Sequence, residues 1–177
     1  AMSGQIEIVD KYVGKDDVEE LIQEETIVVN CSDNLAARKL VEDRVSRLSN
    51  AIHICCGNEL TTGQVQIHAR KNGVDITPSI YQRSPAFNSE SDDRSKMSCE
   101  ELAALPGGGQ LITANATAAV LALNMFVQAT SKEPMFMGGA WYPNDFVAFN
   151  THYNAFAPEG VVPPNVKGIQ EYAAKRF

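Results

Sequence analysis

Two residues in this chain pair a reactive side chain with a position that could use it, Asp33 and Cys99. Asp33 follows the apolar β-branched run Thr26-Ile27-Val28-Val29-Asn30 and precedes the amphipathic stretch Leu35–Leu48. Strand, turn and helix in that order make the βα half of a parallel unit, and ligands of such sheets sit beyond the carboxyl ends of the strands. An acid placed there can hold a metal ion or a nucleotide. It can equally cap the helix that follows, as can Ser32 and Asn34 beside it. Asn34 and Asn58 each follow a strand and would line the same crevice. Cys99 lies in Ser98-Cys99-Glu100-Glu101, a capping box that puts the thiol at the first helical position. The helix dipole favours a thiolate there, the form that acts as a nucleophile. Glu100 and Glu101 oppose that thiolate, so an ordinary thiol is the competing reading.

The remaining chemistry-bearing residues read as structural. His53 falls in an apolar strand and His68 on the polar side of another; with His152 they show no metal-ligand spacing to Cys or acids. Pro106-Gly107-Gly108-Gly109 follows a helix, whereas a dinucleotide fingerprint must follow a strand, so it reads as a helix stop. Arg38 lies one helical turn before Glu42 and reads as half of a solvated ion pair.

The elements that must position these residues follow from periodicity. Gln5–Val9 alternates as a strand, and Asp16-Asp17 opens a short helix over Val18–Gln23. Leu35, Ala37, Leu40, Val41, Val45 and Leu48 make one stripe of the central helix, with Arg38, Lys39, Glu42, Asp43, Arg44 and Arg47 on its other face. Ala51–Cys56 is a second buried strand, so the first part reads β-α-β-α-β and predicts parallel pairing. After Gly57 the pattern changes. Gln64–Arg70 alternates strictly, as a half-exposed antiparallel strand does, and Asn72-Gly73 turns it into a returning strand over Val74–Thr77. Pro78–Lys96 is a long polar connection, and Ser98–Leu105 a short helix. Gln110–Ser131 is a long helix apolar on nearly all sides, hence buried in a core or against a partner, with Asn115, Thr117 and Asn124 making it a poor membrane span. Asp145–Phe149 is a further strand and Val166–Arg176 a terminal helix. The expected architecture is a three-layer, Rossmann-like α/β domain over residues 1–160. Its mixed sheet has a parallel first part and an antiparallel second part, and residues 161–177 form a linker and short helix.

Composition bounds the partners. A chain of 177 residues, 44% hydrophobic, can bury a core without metals or disulfides. Its net charge of −7 argues against nucleic acid or an anionic membrane as the main partner. The four cysteines include no C-x-x-C pair, so zinc is not expected and a reduced, cytoplasmic setting fits. No signal peptide opens the chain, and Ala1 before Met2 reads as an expression scar.

Asp33-Asn34-Leu35-Ala36-Ala37-Arg38 resembles the D-N-x-x-x-R segment of the ThiF-type adenylating family, whose fold is shared with ubiquitin-activating enzymes. The order of elements is similar from about Ile6 to about Asn150, the second half of a family catalytic domain. The resemblance implies ATP and Mg²⁺ as cofactors, with Asp33 at the metal and Asn34, Arg38 and Asn58 at the nucleotide. Cys99 is similarly placed to the cysteine that many members carry after a loop crossing the nucleotide site. It further implies activation of the C-terminal carboxylate of a ubiquitin-like or sulfur-carrier protein, and association as a homodimer or heterodimer. The family's glycine-rich nucleotide loop precedes this region by several dozen residues, and no segment here matches it. ATP chemistry would therefore need an upstream segment or a second chain. The alternative is a non-catalytic dimerisation or carrier-docking module, with the Gln110–Ser131 helix and Met135–Tyr142 as contact surfaces.

Overall fold

The computed structural model describes residues 8–32, 34–58, 61–84, 87, 112–130, 146–151 and 155–158. In chain order the elements are α1 (Lys15–Leu21), β1 (Thr26–Asn30), α2 (Leu35–Val45), β2 (Ala51–Asn58), β3 (Thr62–Lys71), β4 (Val74–Asp75), α3 (Ile80–Arg83), α4 (Ile112–Thr130), β5 (Phe146–Asn150) and β6 (Ala155–Pro158). The strands form one mixed sheet in the order β1-β2-β3-β5-β6, with β4 also on β3. β1 runs parallel to β2, and every other pairing is antiparallel. The expected change of strand direction after Gly57 is thus present.

The two faces of β2 explain the layering. Ile54 and Cys56 point to one side, where they pack with Val65 and Ile67 of β3, Phe149 of β5 and the Ala114, Ala118, Ala122, Met125 stripe of α4. Alanines at four-residue steps let that helix approach the sheet closely. Ala51 points to the other side, against Val18 and Ile22 at α1 and Val45 and Leu48 at the end of α2. Cys55, on that same side, packs with Ile80 of α3 and with Phe87. Among the described residues α4 is the one helix long and apolar enough to cross a membrane; here its alanine stripe lies on the sheet.

Several expectations need correction. Ile8 and Val9 lie outside the sheet and are solvent-exposed, while Gln5–Glu7 fall outside the described residues, so the described parallel part is β1 and β2. β3 is not half-exposed. Gln66 and His68 on its polar side are 1% and 0% exposed, because α2 and α3 cover that face as well. The Asn72-Gly73 turn forms as expected, with φ of 53° and 77°, the left-handed pair of a type I′ hairpin. The returning strand is only Val74–Asp75. Beyond it the Thr77 hydroxyl accepts from Ala69 N (2.9 Å) and donates to Ile67 O (2.8 Å), so a side chain takes over the backbone ladder. α3 arises inside the polar connection through a capping box of Ser79 and Gln82. One side of α4 lies on the sheet, while Val120, Leu123 and Val127 on its outer side are exposed in the single chain. The Ser98–Leu105 and Val166–Arg176 helices, Cys99, His152, Met135–Tyr142 and residues 161–177 lie outside the described residues.

Gly63 shows how tightly β3 meets β5. It pairs with Phe149, and a Cβ there would come 2.7 Å from the Gly57 carbonyl oxygen and into the Phe149 ring. Gly63→Ala is expected to cost about 1–3 kcal/mol in urea unfolding, as overpacking does; an unchanged midpoint would mean that β5 is not seated as described.

Candidate functional site at the strand ends

The carboxyl ends of β1 and β2 meet the first turn of α2. Asn34 is the N-cap: its Oδ1 accepts from Ala37 N at 2.7 Å. The cap is therefore Asn34 and not Ser32, whose hydroxyl instead donates to Asn30 Oδ1 at 2.7 Å. One turn into the helix, Arg38 reaches back to the strand end. Its Nε and Nη2 donate to the Ser32 carbonyl at 3.1 and 2.9 Å. The guanidinium lies over Gly57, where a Cβ would sit 2.7 Å from Nη1. Glycine permits that close approach, and a side chain there would push the guanidinium aside. Asn58, the next residue, faces the other side of the sheet and donates from Nδ2 to Asn115 Oδ1 of α4. Asn34 and Arg38 thus share the α2 side of the strand ends, and Asn58 borders the α4 side. Asp33 and Cys99 fall outside the described residues.

Arg38 supplies a fixed positive charge at the carboxyl end of a parallel pair, and Gly57 leaves the room in which that charge lies flat. Cys31 is exposed at the same end, 4.0 Å by sulfur from buried Cys56. No group of metal-holding side chains occurs among the described residues.

A second polar cluster, missed in the sequence, lies deeper on the same face. Glu42 is not paired with Arg38 on the solvent side. It is fully buried, and its carboxylate joins three elements besides its own helix. Oε2 meets Nδ1 of His53 at 2.8 Å, and Oε1 accepts from Ile80 N at 3.0 Å. Nδ1 of His68 approaches Oε1 at 2.8 Å, too obliquely for a hydrogen bond, so it acts as an ion-pair contact. Nε2 of His68 faces Asp75 Oδ1 at 3.1 Å, and Asp75 also pairs with Arg70. An imidazole with a carboxylate at each nitrogen is best satisfied as the cation. Burial alone would lower its pKa, but Glu42 and Asp75 outweigh burial and raise it. His53 goes the other way: burial outweighs Glu42 and holds it neutral. Its Nδ1–H then donates to Glu42, leaving Nε2 a buried acceptor without a partner. Burial pushes the Glu42 carboxyl up, yet the two histidines outweigh it and bring it down to about 2. One signal was available in the sequence: Glu42 lies seven residues after Leu35 and three before Val45, a spacing that puts it on the covered side of α2.

No family model matches the chain, and no curated protein matches it.

The signs of these shifts give a pH profile. Stability drawn from Glu42 is complete above its ordinary value of 4.5 and is lost as pH falls toward 2. Stability drawn from His68 is complete below 6.5 and is lost as pH rises through its raised folded value. Below 6.5 His53 opposes folding, because the unfolded imidazole takes up a proton that the folded one refuses. Glu42→Gln leaves His68 with one carboxylate and is expected to cost about 3 kcal/mol at neutral pH, as breaking a buried pair does. The variant should also lose the acid limb between pH 4.5 and 2. Urea unfolding across pH checks both; a loss under about 0.5 kcal/mol, the size of an ordinary surface change, would mean that Glu42 is not the buried tie.

Proposed function

We propose that this chain is the second half of a ThiF-type, Rossmann-like adenylating domain that acts in the cytoplasm. It would help to activate the C-terminal carboxylate of a ubiquitin-like or sulfur-carrier protein. The observation that carries this reading is the latch of Arg38 onto the Ser32 carbonyl over Gly57. It supports the resemblance because, within the motif, Asn34 caps the helix start and Arg38 turns back toward the end of β1. The change from parallel to antiparallel pairing after β2 agrees with the same family order.

Mg-ATP, when bound, would supply the phosphoryl electrophile at which the carboxylate attacks to give an acyl-adenylate and pyrophosphate. Arg38 would hold a phosphate oxygen by charge, and the Asn34 cap would fix the turn that carries Asp33 to the metal. Asn58 would border the nucleotide from the α4 side, and in any later thioester step the Cys99 sulfur would take the acyl group as the acyl–phosphate bond breaks and AMP leaves. Several backbone N–H groups or a Lys/Arg cradle are needed to hold a triphosphate. That cradle would come from a glycine-rich loop on an upstream segment or a second chain.

The test is in two parts. The chain by itself should show no micromolar Mg-ATP binding in calorimetry, whereas such binding would overturn the need for a completing loop. Supplied with a segment carrying that loop and with a carrier protein, it should support ATP–pyrophosphate exchange, and Arg38→Ala should lower that exchange by about 100-fold. Exchange that never appears would remove adenylation and leave the docking module.

The open side of α4 supports association. Val120, Leu123 and Val127 recur at three and four residues and are exposed, and β1 is an edge strand among the described residues. A symmetric homodimer, or a heterodimer with the loop-bearing chain, would cover them. Sedimentation of the purified chain should show a concentration-dependent dimer, and Leu123→Glu should shift it to monomer. A monomer at all concentrations, without binding of a hydrophobic dye, would defeat self-association.

A further inference from the structure

We propose that Cys31 and Cys56 form a reversible oxidation site that closes to a disulfide between the ends of β1 and β2. The sulfurs already lie 4.0 Å apart. Cys31 follows Asn30, the last residue of β1, and Asn30 pairs with Cys55, so the continuing register sets Cys31 beside Cys56. Neighbouring strands run about 4.8 Å apart, a separation that a disulfide spans. Closing the sulfurs to about 2.0 Å asks for a shift of roughly 2 Å. Cys31 stands beyond the last ladder pair, where side-chain rotation and a small backbone adjustment supply it.

The two thiols differ as attacking and resolving residues do. Cys31 is exposed, whereas Cys56 is buried with Ala114 and Ala118 against α4. Cys55 points to the opposite face, among Ile80 and Phe87, and does not compete. With a small-molecule disulfide as oxidant, the Cys31 thiolate attacks one sulfur, forming a mixed disulfide and releasing one thiolate of the reagent. The Cys56 sulfur then attacks the Cys31 sulfur. The internal bond forms, the mixed bond breaks, the second reagent thiolate leaves, and the Cys56 proton passes to it through solvent. Both protein thiols are oxidised, and the reagent disulfide is reduced to two thiols. Burial pushes the Cys56 thiol up to about 12, so the second step is the slow one and the mixed disulfide appears first. This site does not depend on the proposed adenylation. Its location does bear on that reading, because the bond would close directly before Ser32, whose carbonyl anchors Arg38.

The reduced 177-residue chain is incubated with oxidised glutathione under native conditions, alkylated, digested and mapped by mass spectrometry. The expected result is a transient glutathione adduct on Cys31 followed by a Cys31–Cys56 cross-link that dithiothreitol reverses. Cys56→Ala should abolish the cross-link and raise the lasting Cys31 adduct at least several-fold, and Cys99→Ser should leave the cross-link intact. The same oxidation in urea serves as a control, because an unfolded chain should distribute bonds among all four cysteines. If Cys56→Ala does not fold, the native-against-urea comparison in the unmodified chain still decides. A Cys31 adduct that never resolves in the native chain would overturn the proposal. So would native pairing of Cys31 with Cys55 or Cys99 as often as with Cys56.

Discussion

The buried carboxylate of Glu42 is the tie on which the arrangement of α2, β2, β3 and α3 depends. It meets His53 and the Ile80 amide directly and holds the charged His68 beside it. Burying such a group is costly unless every lone pair finds a partner, and losing one partner costs far more than the pair contributes. The consequence is a constraint on register. His53 and His68 stand opposite each other across β2 and β3, both on the α2 side. A slip of one residue would turn His68 to the α4 side and leave a carboxylate in an apolar interior without its counter-charge. The hydrophobic residues of the two strands would resist the same slip, but only the ionic contact makes it prohibitive.

The charge balance around that carboxylate is local. Glu42 and Asp75 flank the cationic His68, and Arg70 pairs with Asp75 at the edge. Arg70 also donates to the Leu48 carbonyl at 2.8 Å, which ties the edge of the sheet to the end of the α2 segment. On the other side of the same strands no ion pair occurs among the described residues: α4 packs by small and apolar side chains, with one amide contact from Asn58 to Asn115 at the strand end. The sheet therefore has one face fixed by buried charged contacts and one fixed mainly by fit.

How much of this was legible in the sequence depends on whether the decisive partner is near in the chain. The β1–α2–β2 unit was readable because Thr26–Val29 and Ala51–Cys56 are continuous apolar runs, and because the stripe from Leu35 to Leu48 is periodic. The Asn72-Gly73 turn was readable from two residues. β3 was read correctly as an antiparallel strand, but its burial was not, because Gln64-Val65-Gln66-Ile67-His68 has the alternation of a strand with one wet face. What dries that face is Glu42 and α3, brought in from other parts of the chain. The short β4 was misjudged for a related reason: a threonine hydroxyl, which propensity reads as a neutral strand former, replaces the ladder at Thr77. At the strand ends, Asn34 was legible as a candidate cap, and it is the cap; the contact of Arg38 with the Ser32 carbonyl was not foreseeable. Glu42 was hidden by Arg38, because an acid one helical turn after a base reads as a surface pair.

The two polar clusters on the α2 side are linked through the helix itself. Near its end Arg44 donates to the Ile22 carbonyl at 2.8 Å, and Val45 is sealed in the core beneath α1. At its middle Glu42 is held by the histidines. At its start Arg38 is latched to Ser32 and Asn34 closes the first turn. A helix anchored at three levels cannot rotate or slide without breaking a buried contact. The groups at the strand ends need not fix their own position; that task falls to residues one and two turns further on. Asn34 and Arg38 are thereby positioned by interactions that lie away from the strand ends. Such a division, with directional groups on a rigid element and their support placed behind them, is what a site needs if a bound anion is to meet preset charges.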